Sequence, residues 1–135
     1  MTRRMTSRRS MAELAKLTVL ARMKAHCMEH RLVTDLQRVH ALKAEIETLG
    51  DRRGALIANQ SQAVRAPDEF GTGDATLAGY LHIQADALRR RQAALYRELA
   101  RAEAEVAPIR IEAARTRGRV AALEKLARSR DRRHP

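Results

Sequence analysis

The sequence predicts an all-α fold, a long antiparallel two-helix coiled-coil hairpin that forms a single domain. Only 2% of its 135 residues are aromatic and none is Trp, which is too little material for a thick globular core. Residues with high helix propensity fill most positions, and Pro and Gly are scarce between residues 9 and 64. Apolar residues also recur at alternating steps of three and four, which is the heptad pattern of a coiled coil.

Helix one is predicted over about residues 8–64. The apolar or small residues on its heptad seam are Leu14, Thr18, Ala21, Ala25, Met28, Leu32, Val39, Leu42, Ile46, Leu49 and Leu56. The same register places Asp35, Arg53 and Gln60 on the seam, with Leu36 and Ile57 one residue later to widen it. Gly50 and Gly54 each weaken the helix by about 1 kcal/mol relative to Ala, so we expect a bend there and no break.

A reversal of chain direction is predicted over about residues 65–76. Pro67, Gly71 and Gly73 supply the helix breakers that a hairpin tip requires. Helix two then follows over about residues 77–130, and the basic segments 1–7 and 131–135 are expected to fray.

The seam of helix two is predicted to contain one irregularity. Its members are Leu77, Leu81, Gln84, Leu88, Leu95, Leu99, Ala102, Val106, Ile109, Ala113, Thr116, Val120, Leu123 and Ala127. Between Leu88 and Leu99 the spacing slips, as a four-residue insertion in the heptads would make it do. Pro108 removes one backbone donor, so we expect a kink there that does not end the helix.

Antiparallel pairing around a tip near residue 70 places Leu32 opposite Ile109 and Leu14 opposite Ala127. The two ends of the sequence therefore meet. The same heptads would also allow pairing between two chains, and the sequence leaves that alternative open.

The positive charge is concentrated in the two segments that this hairpin brings together. The formal net charge is +11, yet residues 10–114 carry 15 Lys/Arg against 14 Asp/Glu. Residues 1–9 contain four arginines and no acid, and residues 115–135 contain eight basic residues against two acidic ones. A hairpin would gather these into one cationic pole, which favours an acidic partner.

The segment His26, Glu29 and His30 spells H-x-x-E-H, the order found in inverted zinc peptidases. A zinc hydrolase needs a third ligand and a substrate cleft, which a two-helix hairpin does not supply. The single Cys27 cannot form an intramolecular disulfide and fits a reducing cytoplasm. We therefore expect no catalytic residue, no metal and no cofactor.

Two aromatic residues, Phe70 and Tyr80, fall near the predicted tip. Each is a candidate docking anchor, although each would equally serve to close the end of the hairpin. A sequence pI near 11.2 also raises nucleic-acid binding as an alternative function. The arginines lack interleaved aromatic residues for base stacking, however, and lie at both ends of the seam instead of ahead of a zipper.

A hairpin of this length, basic at its joined ends, resembles the FliJ and YscO proteins, the stalk proteins of flagellar and type III secretion ATPases. The likeness spans nearly the whole chain, and its most suggestive part is helix two. The similar rhythm runs through Tyr80, Leu81, Leu88, Leu95, Leu99, Val106, Arg119, Leu123 and Arg128. The resemblance implies a non-catalytic central stalk, cytoplasmic and peripheral to an inner-membrane export apparatus, without direct membrane insertion. Its partners would be a hexameric secretion ATPase, a membrane export gate and export chaperones. The residues facing the ATPase would be Arg3, Arg4, Arg8, Arg9, Arg128, Arg130, Arg132 and Arg133, while Phe70 and Tyr80 would face the gate.

Overall fold

The protein folds as two long α-helices that pack against each other in an antiparallel hairpin. The computed structural model describes the backbone of residues 2–65 and 73–133, and the side chains of residues 8–62 and 76–133. Helix α1 spans Thr2–Arg65 and helix α2 spans Gly73–Arg133. The prediction of an all-α hairpin is confirmed.

Both helices extend further than the sequence predicts. Helix α1 begins at Thr2 instead of near residue 8, and α2 runs from Gly73 to Arg133 instead of from about 77 to 130. Residues 2–7 and 131–133, which were expected to fray, are helical. These segments contain no Pro or Gly, and Arg has a high helix propensity, so nothing local stops the helices there. Pro67 and Gly71 lie outside the described residues.

The heptad seam of α1 matches the prediction. Val39, Ile46 and the other buried members alternate with fully exposed neighbours at steps of three and four. The polar seam residues Asp35, Arg53 and Gln60 are half-buried, as the register requires. Ile57, expected to widen the stripe, is 43% exposed and does not do so.

The predicted slip in the seam of α2 is wrong, because the heptads continue without an insertion. An unbroken series of half-buried and buried positions at steps of three and four runs through Ala78, Leu81, Ala85, Leu88, Gln92, Leu95, Leu99 and Ala102. Ala85 is only 6% exposed, whereas Leu77, which was assigned to the seam, is 48% exposed. Small Ala and polar Gln occupy the true seam positions, so the larger Leu drew the prediction off register.

Contacts divide the hairpin into two units. Unit 1 contains residues 1–36 and 104–135, and unit 2 contains residues 37–103. Alanines contribute much of the core in both units. Ala113 in unit 1 is fully inaccessible, and Ala85 in unit 2 is buried. Among the described residues no large side chain is fully buried, so each core is a narrow seam.

Two threonines lie in the seam of unit 1 without leaving a polar group unsatisfied. The Thr18 hydroxyl donates to the Leu14 carbonyl at 2.8 Å, and the Thr116 hydroxyl donates to the Ala113 carbonyl at 2.9 Å. Each bond stays within one helix, so neither threonine fixes the pairing of the helices. Helix α2 also continues through Pro108, whose side chain is exposed.

Ion pairs on the two flanks of the seam show the register of the two helices. In the ion pairs of one flank the two residue numbers add to 146, and in those of the other flank they add to 136. The seam lies midway between the flanks, so two residues that face each other across it have numbers that add to about 141. This is the predicted register, in which Leu32 faces Ile109. The 146 flank carries Arg22–Glu124, Glu29–Arg117 and Lys43–Glu103, and the 136 flank carries Lys24–Glu112 and Glu45–Arg91.

Candidate partner-binding surfaces

Nearly all of the net charge belongs to unit 1. Residues 1–36 and 104–135 contain 17 Lys/Arg and 7 Asp/Glu, a net charge of +10. Residues 37–103 contain 10 Lys/Arg and 9 Asp/Glu, a net charge of +1. Because charges of one sign add their potentials over a surface, unit 1 attracts anions and acidic partners far more strongly than unit 2 does.

The arginines of unit 1 come together from both helices. Arg130 of α2 donates from Nη1 to the Ser10 hydroxyl of α1 at 2.6 Å, which places the start of α1 beside the end of α2. We call the exposed arginines around this contact the basic pole. Its members with described side chains are Arg8, Arg9, Arg128, Arg130, Arg132 and Arg133. Arg3 and Arg4, also predicted to face a partner, have side chains outside the described set.

The basic pole is largely uncompensated by acids. Arg9 lies near Glu13 of the same helix, with Nε to Oε1 at 3.7 Å and both side chains mostly exposed. Arg128, Arg132 and Arg133 form no ion pair within the described ranges. An exposed pair such as Arg9–Glu13 contributes only about 0.2–1 kcal/mol, so these guanidinium groups are available to an external carboxylate or phosphate.

The aromatic candidate Tyr80 lies in unit 2 with 58% of its surface exposed. Its hydroxyl accepts a hydrogen bond from the Gln84 side-chain amide at 2.8 Å. Gln84 in turn borders an open, mainly apolar groove with Leu56 and Leu88. Tyr80 therefore extends an apolar surface with a polar edge. The other aromatic candidate, Phe70, lies outside the described residues.

The H-x-x-E-H segment does not assemble into a metal site in the part of the chain that the structure describes. His26 and His30 are exposed, and Glu29 forms an interhelical ion pair in which its Oε1 lies 3.5 Å from Arg117 Nε. No group of three or more His, Cys, Asp or Glu residues there is arranged to hold a metal ion. The carboxylate of the motif thus helps to pair the helices. Cys27 is exposed and free.

One surface was missed in the sequence. An apolar groove in unit 1 runs between Leu17 and Leu20 of α1 and Leu123 of α2. Leu17 and Leu20 are 53% and 61% exposed. The available signal was that both leucines fall off the heptad seam, but an exposed leucine on its own is common and carries little information.

The chain matches no protein-family model, no curated protein and no solved structure. Within the described ranges, neither helix contains a stretch apolar enough to cross a membrane.

Proposed function

We propose that this protein is a non-catalytic coupling component of a bacterial type III export apparatus, either flagellar or injectisome. In this proposal the basic pole binds acidic groups of a hexameric secretion ATPase, as a stalk held in its ring. The surface around Tyr80 binds the export gate or chaperones. The observation that carries the proposal is the net charge of +10 in unit 1, presented by arginines from both helices.

The chemistry of the pole suits a coupling role. Complementary charges accelerate encounter between proteins more than they tighten the complex, which lets a stalk engage and release successive subunits of a ring. Binding that differs between the nucleotide states of the ATPase would, by linkage, let the stalk shift those states. The stalk would then alter the hydrolysis rate without contributing a catalytic group.

Charge reversal of the pole tests this function. The double variant Arg130→Glu, Arg132→Glu should abolish co-elution with the secretion ATPase and stimulation of its hydrolysis. The double variant Arg97→Glu, Arg101→Glu makes the same change in net charge on exposed residues of unit 2 and should leave both intact. Equal effects of the two double variants, or no effect of the first, would contradict the proposal.

The same concentration of charge favours one alternative, a nucleic-acid-associated coiled coil. Such a protein would be retained on duplex DNA with an affinity that falls steeply as salt rises. Retention on DNA at physiological salt, without co-elution with the ATPase, would replace the stalk proposal with this one.

A further inference from the structure

On the 136 flank, a cation and an apolar residue face each other next to the Lys24–Glu112 ion pair. Lys24 Nζ lies 3.4 Å from Glu112 Oε1, and the next positions one heptad away are Leu17 and Arg119. Leu17 therefore occupies the position at which a carboxylate would form an ion pair with Arg119. Arg119 is exposed and forms no ion pair within the described residues. Arg119 is therefore a cation of this flank that has an exposed leucine, and no carboxylate, at the facing position.

This position coincides with the apolar groove of unit 1. Leu17, Leu20 and Ala21 form its α1 wall, and Thr116 and Leu123 form its α2 wall. Lys24 and Arg119 stand at its rim. Leu126, one heptad beyond Arg119, is 53% exposed and continues the apolar surface along α2. Leu17 and Leu20 are three residues apart, so they share one helix face.

We infer that this groove binds an acidic amphipathic helix of another protein, packed as a third helix against α1 and α2. The apolar stripe of the incoming helix would cover Leu17, Leu20 and Leu123. A carboxylate at its flank would supply Arg119 with the partner that the hairpin lacks. Amphipathic helices bind in grooves between helices through apolar anchor residues spaced three and four positions apart, and the charged residues beside those anchors determine which partner binds.

The charge of unit 1 decides against a second copy of this chain as the occupant. A second copy would bring its own unit 1, of net charge +10, close to this one, and like charges oppose association. An acidic helix gains from the same field. This inference does not depend on the export apparatus, because it concerns the chemistry of the bound helix and not the complex to which that helix belongs.

The experiment uses a labelled three-heptad peptide with Leu at the core positions and Glu at the flanking positions, and a matched peptide with Lys in place of Glu. Fluorescence anisotropy with the full chain should show binding of the Glu peptide and at least about tenfold weaker binding of the Lys peptide. Leu20→Ser should weaken binding of the Glu peptide about tenfold or more, as expected when an apolar anchor is lost.

Two matched variants separate the groove from general effects. Val33→Ser alters another exposed apolar residue of unit 1, outside the groove, and should leave binding unchanged. Arg119→Glu should shift preference toward the Lys peptide, whereas Arg110→Glu, the same charge change elsewhere in unit 1, should not.

Three results would overturn the inference. The first is equal binding of the Glu and Lys peptides, and the second is equal loss of binding in Leu20→Ser and Val33→Ser. The third is a self-associated wild-type chain, seen by sedimentation velocity, that Leu20→Ser converts to monomer, since a second copy would then occupy the groove. Circular dichroism confirms that each variant retains its helices.

Discussion

At the level of single residues, Gly50 and Gly54 differ in how much space the neighbouring helix leaves beside them. A Cβ built at Gly50 would lie 3.2 Å from the Gln92 amide nitrogen, while one built at Gly54 meets nothing within 4 Å. Gln92 also donates a long hydrogen bond of 3.4 Å to the Ile46 carbonyl. Gly50 thus accommodates a seam glutamine, and Gly54 has no packing reason to be glycine.

The variant Gly54→Ala should therefore raise the free energy of unfolding by about 1 kcal/mol, because Ala loses less backbone entropy in a helix. Gly50→Ala should give a smaller gain or a loss, since Gln92 has to move. Urea denaturation of both variants measures the difference. A gain from Gly50→Ala at least as large as that from Gly54→Ala would show that Gln92 does not occupy this site.

The pKa of the Asp86 carboxyl group is lowered by two neighbouring arginines. The side-chain hydrogen bond from Arg89 lowers its pKa, with further lowering by the charges of Arg89 and Arg90 and a partial opposing effect of desolvation. Arg89 Nη2 lies 2.8 Å from Oδ1, and Arg90 Nη2 lies 3.0 Å from Oδ2.

Because the pKa of Asp86 is depressed on folding, its stabilising contribution is present above the unfolded carboxyl pKa and is lost as pH falls through the folded value. An ordinary aspartate has a pKa of about 3.9, and a titration of Asp86 followed by carbon NMR should have its midpoint below that value. Arg89→Ala should move the midpoint upward. A midpoint unchanged by that variant would rule out the Arg89 hydrogen bond as the main cause.

At the level of the helices, α1 was predictable in detail because large apolar residues recur on its seam in one unbroken register. The polar Asp35 could even be placed on the seam from the register alone. The seam of α2 was not predictable in the same detail. The small Ala85 and the polar Gln92 lie on the seam without a large apolar side chain to mark it, whereas Leu77 is apolar and lies off the seam. The helix ends were also missed, because residues 2–7 and 131–133 have favourable propensity but no periodic pattern to reveal it.

The interhelical ion pairs follow from the register once the seam is correct, whereas the apolar groove does not. Its leucines become recognisable only when the structure places Leu17 and Leu123 beside each other on an uncovered face. The basic pole was predictable from the positions of the arginines and the assumption of a hairpin.

The tightness of the seam gives a prediction for α2. Ala113 has no accessible surface, so Ala113→Leu should overpack unit 1 and lower the free energy of unfolding by about 1–3 kcal/mol. Ala114→Leu adds the same atoms on the exposed side and should be nearly neutral. Thermal unfolding followed by circular dichroism compares the two, and equal stability would contradict the heptad register of α2.

At the level of the whole molecule, the fold separates two kinds of surface. Unit 1 carries the basic pole and the apolar groove, while unit 2 carries little net charge and the exposed Tyr80. The flank pairs match opposite charges in this register, since Arg22 and Glu29 meet Glu124 and Arg117. The proposed binding of an acidic partner at the basic pole depends on the two arginine clusters being neighbours.

The most direct test is a distance measurement between spin labels at positions 9 and 131, in a chain with Cys27→Ser and diluted with unlabelled protein. We predict a short distance, below about 25 Å, because paired helix axes lie about 8–10 Å apart and the labels add the rest. Dilution with unlabelled chain should leave this distance unchanged. A separation near the length of one helix, about 90 Å for 61 residues, or a short distance that dilution abolishes, would contradict it.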